Sequence, residues 1–340
     1  MIYLSIDGQL VKKIDWLNIG LLAMSLTLAY ILPFRLFIFS YAILGPLHYL
    51  TEIHWLKSKN YFIHKQLNFQ EQFLYLGIII STISFAHIYA ISYFKSSILN
   101  AFSFQVLILF AFILSLSMLW IKKPSGVIIA GIMSYILAVC IRLLLPKWIL
   151  IAGMLLPTIV HVFVFTALFM LFGANKSKSS PGYIAFALLI LIPIIIAWAP
   201  INITDNSTPE IQDSLTRTGM NQLNHTLSKI ISLLDWGDLS LPINAYLKIQ
   251  VFIAFAYTYH YLNWFSKTSV IGWRKSMSSN GFKWVLVVWL ASITLYFYDF
   301  TTGFYALFFL SSLHVILELP LNMVTIKNLL PSFTQKNPHS

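Results

Sequence analysis

The sequence predicts an all-α, polytopic transmembrane helical bundle, and three observations lead there. Of 340 residues, 58% are hydrophobic and only 10% are charged, against about 25% charged in a soluble domain. The apolar residues gather into ten stretches, most of them near the ~20 residues that carry a helix across ~30 Å of hydrocarbon. The net charge of +11 comes mostly from Lys and Arg in the connections between those stretches, where basic residues report topology rather than nucleic-acid binding. The chain 1–340 reads as a single integral membrane domain, with a long polar connection at 201–246.

A short polar lead with Lys12 and Lys13 precedes the first apolar run, 16–32. Ile31-Leu32-Pro33-Phe34-Arg35 offers no small-residue cleavage site, so this run is read as a helix rather than a removable signal. Pro33 and Arg35 predict a tight hairpin into a second helix that runs to about residue 56. Further spans are expected at 73–93, 100–120, 126–145, 149–172, 182–200, 247–266, 284–299 and 302–323. Ten spans put both termini and every even-to-odd connection on one side. That side collects fifteen of the 22 Lys and Arg, which makes it cytoplasmic by the positive-inside rule. Trp16, Trp55, Trp120, Trp148, Trp198, Trp264 and Trp284 fall near span ends, as an interfacial aromatic belt would place them.

Within 201–246, which this topology places outside the cell, Thr208-Pro209-Glu210 is a helix start: a capping hydroxyl, a proline in the first turn and an acid at the positive end of the dipole. After Gly219, Met220, Leu223, Leu227, Ile230, Ile231 and Leu234 recur at helical spacing and predict an amphipathic helix lying on the outer surface. Asn202, Asn206 and Asn224 each begin a glycosylation acceptor pattern, a short match that chance supplies often.

Ionisable groups inside the spans are the functional signal, because hydrocarbon makes them costly without a partner. The second span holds Gly45-Pro46-Leu47-His48-Tyr49-Leu50-Thr51-Glu52, and the last repeats the four-residue step with His314 and Glu318. On a helix that step stacks imidazole and carboxylate on one face. His161 and His260 lie in two further spans of the same sense. Each of the four histidines comes twelve to fourteen residues after the start of its span, about 18–21 Å below the outer boundary at ~1.5 Å per residue. They are therefore expected at one depth, with Glu52 and Glu318 one turn deeper. His87 falls in the opposite half, and His54 and His64 lie near the cytoplasmic boundary. Gly45, Pro46, Pro157 and Pro320 flank the set and loosen the helices beside it.

Neutral imidazoles suit iron, zinc, copper or nickel, and the lack of thiols or thioethers at this level argues against a copper(I) path. His48, His161, His260 and His314 are the expected metal ligands. Glu52 and Glu318 are the expected catalytic carboxylates, as ligands or as groups that orient a ligating ring. Tyr49, Tyr257, Tyr261 and Asn263 flank the level and could line a substrate path, although aromatic residues in a bundle are more often packing. The single cysteine, Cys140, excludes a disulfide framework and a Cys-rich zinc site. No Gly-rich nucleotide loop, nucleophile elbow or basic-aromatic run is present.

The pattern favours a membrane-embedded, metal-dependent oxygenase, desaturase or hydroxylase. Iron is the first choice of metal, with zinc and haem as alternatives. The substrate would be a lipophilic small molecule drawn from the bilayer, and the electrons would come from a donor protein. The His-x-x-His-His boxes typical of membrane fatty-acid desaturases are absent, as are the His-Gly motifs of bacterial carotene-cleaving membrane oxygenases. A proton- or ion-coupled transporter using the same histidines and acids is the alternative. Paired axial haem ligands and a structural membrane subunit follow behind it. The expected location is the inner (plasma) membrane.

Overall fold

The computed structural model describes residues 8–58, 69–93, 102–121, 123–200, 207–233, 245–273 and 276–330. Among these, 91% are helical and none is in a strand. The helices are α1 (Gly8–Ile31), α2 (Pro33–Ser58), α3 (Phe69–Tyr93), α4 (Phe104–Ser117), α5 (Pro124–Leu144), α6 (Pro146–Ser177) and α7 (Ser180–Trp198). They continue with α8 (Pro209–Arg217), α9 (Met220–Leu233), α10 (Ala245–Ser266), α11 (Thr268–Ile271), α12 (Ser279–Tyr298) and α13 (Phe300–Leu329). Seven of the described helices, α1, α2, α5, α6, α7, α12 and α13, are long and apolar enough to cross a membrane. The chain has the character of an integral membrane protein.

Three of the ten predicted spans are not among these seven. Within the described residues α3 and α4 hold shorter apolar stretches, Gln72–Ile88 and Phe104–Ser117. Helix α10 has the length but buries Lys248, Gln250, Thr258, His260 and Asn263. The surface of α5 is inverted relative to a soluble protein: Ile128, Ile129, Ile132 and Met133 are all exposed, as suits contact with lipid. The predicted tryptophan belt holds in part. Trp16, Trp120, Trp148, Trp198 and Trp284 are exposed, whereas Trp55 is buried and Trp264 packs inward. Nearness to a span end says nothing about which way a ring faces.

The chain divides into two compact units, and the division falls inside α2, α6 and α13. The first comprises Met1–Thr51 and Val162–Leu307. Here α1 stops at Ile31 because Leu32 leaves the helical region, with φ −135° and ψ 54°, as a residue before proline tends to. Helix senses follow from side-chain bonds to α10. Asn18 near the start of α1 meets Ser266 at the end of α10, with Asn18 Nδ2 donating to Ser266 Oγ at 3.0 Å. Along α2 the order is the reverse. Gln250 Nε2 donates to the Pro33 carbonyl, Ser40 and Thr258 share a hydroxyl bond of 2.7 Å, and Trp264 Nε1 donates to Thr51 Oγ1. Thus α1 and α2 run antiparallel, as the predicted Pro33 hairpin requires.

Also in this unit, Ser179 caps α7. Its hydroxyl accepts from Gly182 N and donates to Asp15 Oδ2 at 2.5 Å. Helix α9 is held to α10 through Asn224, whose Nδ2 donates to Gln250 Oε1 at 2.6 Å. The predicted surface helix is therefore present at Met220–Leu233. Asn224 is buried and bonded in it, so it is no accessible glycosylation acceptor. Asn202, Asn206, Leu234 and the histidine expected at position 64 lie outside the described residues.

The second unit comprises Glu52–His161 and Phe308–Ser340. Its core forms where helices approach closely. A Cβ on Gly153 of α6 would lie 2.5 Å from the Gln105 side chain of α4, and one on Gly77 of α3 would lie 3.0 Å from Leu317 of α13. Phe104 and Phe308 stack edge to face at 5.2 Å, as do Phe110 and Tyr135 at 5.8 Å.

Candidate metal centre

Two of the helices that carry the predicted ligands change their winding beside them. Pro46 has no N–H to offer the carbonyl four residues back. Just before it, Ser40–Leu44 forms a π turn in which Gly45 N donates to the Ser40 carbonyl. Pro157 likewise sits in a π-helical stretch, Leu156–Phe165, which contains His161. Such turns add a residue and re-aim the side chains that follow. Pro320 lies inside α13 without a comparable change. Gly45 has a second use: Tyr261 Oη lies 3.2 Å from where its Cβ would be.

His48, His161, His260, His314, Glu52 and Glu318 are all buried. In the first unit the Nε2 atoms of His260 and His48 are 3.1 Å apart. On its other side, His260 Nδ1 lies 2.8 Å from Thr166 Oγ1. Thr166 has one hydroxyl proton, which goes to the Val162 carbonyl at 2.8 Å. Thr166 must therefore accept from His260 Nδ1–H, so the lone pair of His260 is on Nε2 and faces His48. Trp264 meets His48 edge to face at 5.5 Å. Its indole N–H is tied to Thr51, whose own hydroxyl bonds the carbonyls of Leu47 and His48.

The second unit repeats the arrangement. The Nε2 atoms of His314 and His161 are 3.2 Å apart, and the rings are nearly perpendicular at 77°. His161 Nδ1 lies 2.7 Å from Glu318 Oε2. This is a close approach of ring nitrogen and carboxylate oxygen without hydrogen-bond geometry.

The spacing of both pairs suits a metal. Two nitrogens on one ion at ~2.1 Å are about 3.0 Å apart at a right angle and about 3.4 Å apart at the tetrahedral angle. The observed 3.1 and 3.2 Å lie between these limits.

No family model, no curated protein and no solved structure matches this chain. Its chemistry has to be read from its own residues.

Against the sequence expectation, the structure pairs all four histidines and places Glu318 on His161. Glu52 lies one turn beyond His48 on α2 and is buried. His87 is buried on α3 but stands outside the group, and His54 is half-buried near the end of α2. Tyr49, Tyr257, Tyr261 and Asn263 are buried. Tyr261 packs on both His48 (5.1 Å) and His260 (5.4 Å), and Tyr257 packs on Tyr261 at 6.1 Å. Tyr257 also packs on Phe37 and Tyr41, which belong to an aromatic cluster with Tyr296 and Phe300. Thr166 was not foreseen. A threonine inside an apolar helix normally bonds its own backbone, and nothing in the sequence marks this one as an acceptor for a distant imidazole.

Proposed function

We propose that this chain is a membrane-embedded, metal-dependent oxidoreductase of the oxygenase, desaturase or hydroxylase kind, acting on a lipophilic substrate. One observation carries the reading: in each imidazole pair the Nε2 atoms converge while one ring has an oxygen beside Nδ1, Thr166 Oγ1 at 2.8 Å from His260 and Glu318 Oε2 at 2.7 Å from His161. Ligating histidines are held this way, because the second bond fixes the tautomer and strengthens the donor. His48, His161, His260 and His314 hold the metal, Thr166 and Glu318 orient two of them, and Glu52 adds a second carboxylate. Imidazole with carboxylate favours iron, then zinc. Haem fits less well. Its axial ligands stand on opposite faces, about 4 Å apart with ~2.0 Å bonds, whereas both pairs are closer. The metal supplies redox or Lewis-acid chemistry when bound. The chain's own contribution is a dry, apolar surround with Tyr261 and Tyr257 packed beside the ligands, into which a lipid-soluble substrate can pass. Ten spans with cytoplasmic termini in the plasma membrane, and a protein electron donor, complete the proposal.

A proton-coupled transporter is the second reading, favoured by one feature. Each imidazole pair can share one proton as an N–H···N bond, and Glu52 and Glu318 are buried acids that could take part in a relay. Metal analysis of the purified chain separates the readings. Iron retained by the wild type and reduced in His260→Ala, with the absorbance of a non-haem centre, supports the oxidoreductase. Metal-free protein that folds and takes up no iron refutes it, and a Soret band would reassign the centre to haem.

A further inference from the structure

We infer that one end of the first unit, built from the start of α1, the α6–α7 turn and the end of α10, binds the headgroup of an anionic phospholipid. Two hydrogen bonds gather these segments. Ser179, between α6 and α7, donates to Asp15 Oδ2 of α1 at 2.5 Å, and Asn18, one turn further along α1, donates to Ser266 Oγ at the end of α10 at 3.0 Å. Each bond brings lysines with it. Lys12 and Lys13 precede Asp15 by less than one turn, Lys178 adjoins Ser179, and Lys267 adjoins Ser266. Lys12, Lys13 and Lys178 are exposed, and Lys267 is half-buried.

Charge at this end is one-sided. Among the described residues here Asp15 is the one acid, and its carboxylate is committed to the α7 N-terminus. It takes the Ser179 hydroxyl, and a Cβ on Gly182 in the first turn would lie 2.9 Å from Oδ2, where the positive end of the helix dipole meets it. The unit's other described acids stand at the opposite end. Asp299 faces Arg217 of α8 at 3.9 Å, Glu210 and Asp213 lie on α8 itself, and α9, which follows, is bonded to Gln250 near the start of α10. Lysines clustered at the ends of apolar helices attract anionic headgroups, by about fivefold in affinity for each lysine near the surface. Trp16, exposed beside Asp15, sits at the same level, and an indole there marks the headgroup layer. Lys178 leaves from a fixed corner: its φ is 49°, and its N–H donates to the Ala174 carbonyl. Phosphodiester oxygens accept charge-assisted hydrogen bonds from such ammonium groups.

The test is lipid selectivity. The full chain in detergent micelles is titrated with pyrene-tailed phosphatidylglycerol or phosphatidylcholine, and binding is followed by energy transfer from tryptophan. Wild type should prefer phosphatidylglycerol by more than about tenfold. Lys178→Gln should weaken that lipid about fivefold. Glutamine at Lys12, Lys13, Lys178 and Lys267 together should abolish the preference, as should ~1 M NaCl. Lys229→Gln, at an exposed lysine of α9 at the opposite end, should leave it unchanged. Equal affinity for the two lipids in wild type overturns the inference, as does a preference that the fourfold variant keeps or that Lys229→Gln weakens equally. Displacement of the lipid by millimolar inorganic phosphate would assign the lysines to free phosphate and overturn the lipid reading. Thermal unfolding checks each variant, and the wild-type comparison decides even if one fails to fold.

Discussion

Replacing Thr166 with valine tests whether its hydroxyl acts on the metal through His260. Valine is close in shape, so the change removes the acceptor 2.8 Å from His260 Nδ1 with little change in packing. Without metal the loss can be absorbed. His260 can move its proton to Nε2 and donate to His48, which lies 3.1 Å away. With metal it cannot, because Nε2 must keep its lone pair for the ion, and Nδ1–H then loses the acceptor that Thr166 supplies. An unsatisfied buried donor costs about 1–3 kcal/mol. At ~1.4 kcal/mol per factor of ten, that is about 5- to 150-fold in affinity, in line with the 10–100-fold typical of groups that orient metal ligands. The assay is a chelator competition titration of Zn(II) on wild type, Thr166→Val and Thr166→Ser, with thermal unfolding of the metal-free proteins in parallel. Valine should weaken binding by that factor while leaving metal-free stability nearly unchanged, and serine should restore it. Wild-type affinity in Thr166→Val, or equal weakening in Thr166→Ser, would refute the tautomer argument.

Gly153→Ala places a methyl 2.5 Å from Gln105 in the tight crossing of α6 and α4. Overpacking of about 1–3 kcal/mol should outweigh the ~1 kcal/mol helix gain from alanine, so the unfolding midpoint in detergent should fall, and an unchanged or raised midpoint would contradict the close approach. Asp299, in the turn between α12 and α13, accepts from Thr302 Oγ1 at 2.8 Å and Thr302 N at 2.6 Å, and these bonds hold its carboxyl below the usual value. Its contribution is present above the unfolded carboxylate pKa of about 3.9 and lost as pH falls through the lower folded value. Acid unfolding followed by circular dichroism below pH 4 should therefore be less steep in Asp299→Asn than in wild type, and identical curves would refute the assignment.

The features read correctly from the sequence are those that local physics controls. The break before Pro33 follows from its ring acting on Leu32, and the α8 start at Pro209 follows from the proline and Glu210 in its first turn, whereas the expected capping bond from the Thr208 hydroxyl is not made. The suspicion that Pro46 and Pro157 disturb the helices beside the histidines is met by π-helical stretches at both places. What was misjudged depends on direction rather than position. Trp55 and Trp264 sit near span ends yet face inward, and Asn224 lies in a polar connection yet is buried against Gln250. Helix α10 carries polar groups that meet partners on other helices, Gln250 with Asn224 and Thr258 with Ser40, and a hydropathy reading of one segment cannot include those partners.

For the candidate site, the sequence by itself determined which ionisable residues lie within apolar stretches. Burial makes such groups costly without partners, which singles out His48, His161, His260, His314, Glu52 and Glu318. Only the tertiary structure decided the pairing: His48 with His260, His161 with His314, Glu318 on His161 and Thr166 on His260. The physical reason is rotation about the helix axis. Rise sets the depth of a side chain from its sequence number alone. Which neighbour it meets depends on the phase of two helices, and each π turn shifts that phase by an extra residue that no spacing rule in the sequence reveals.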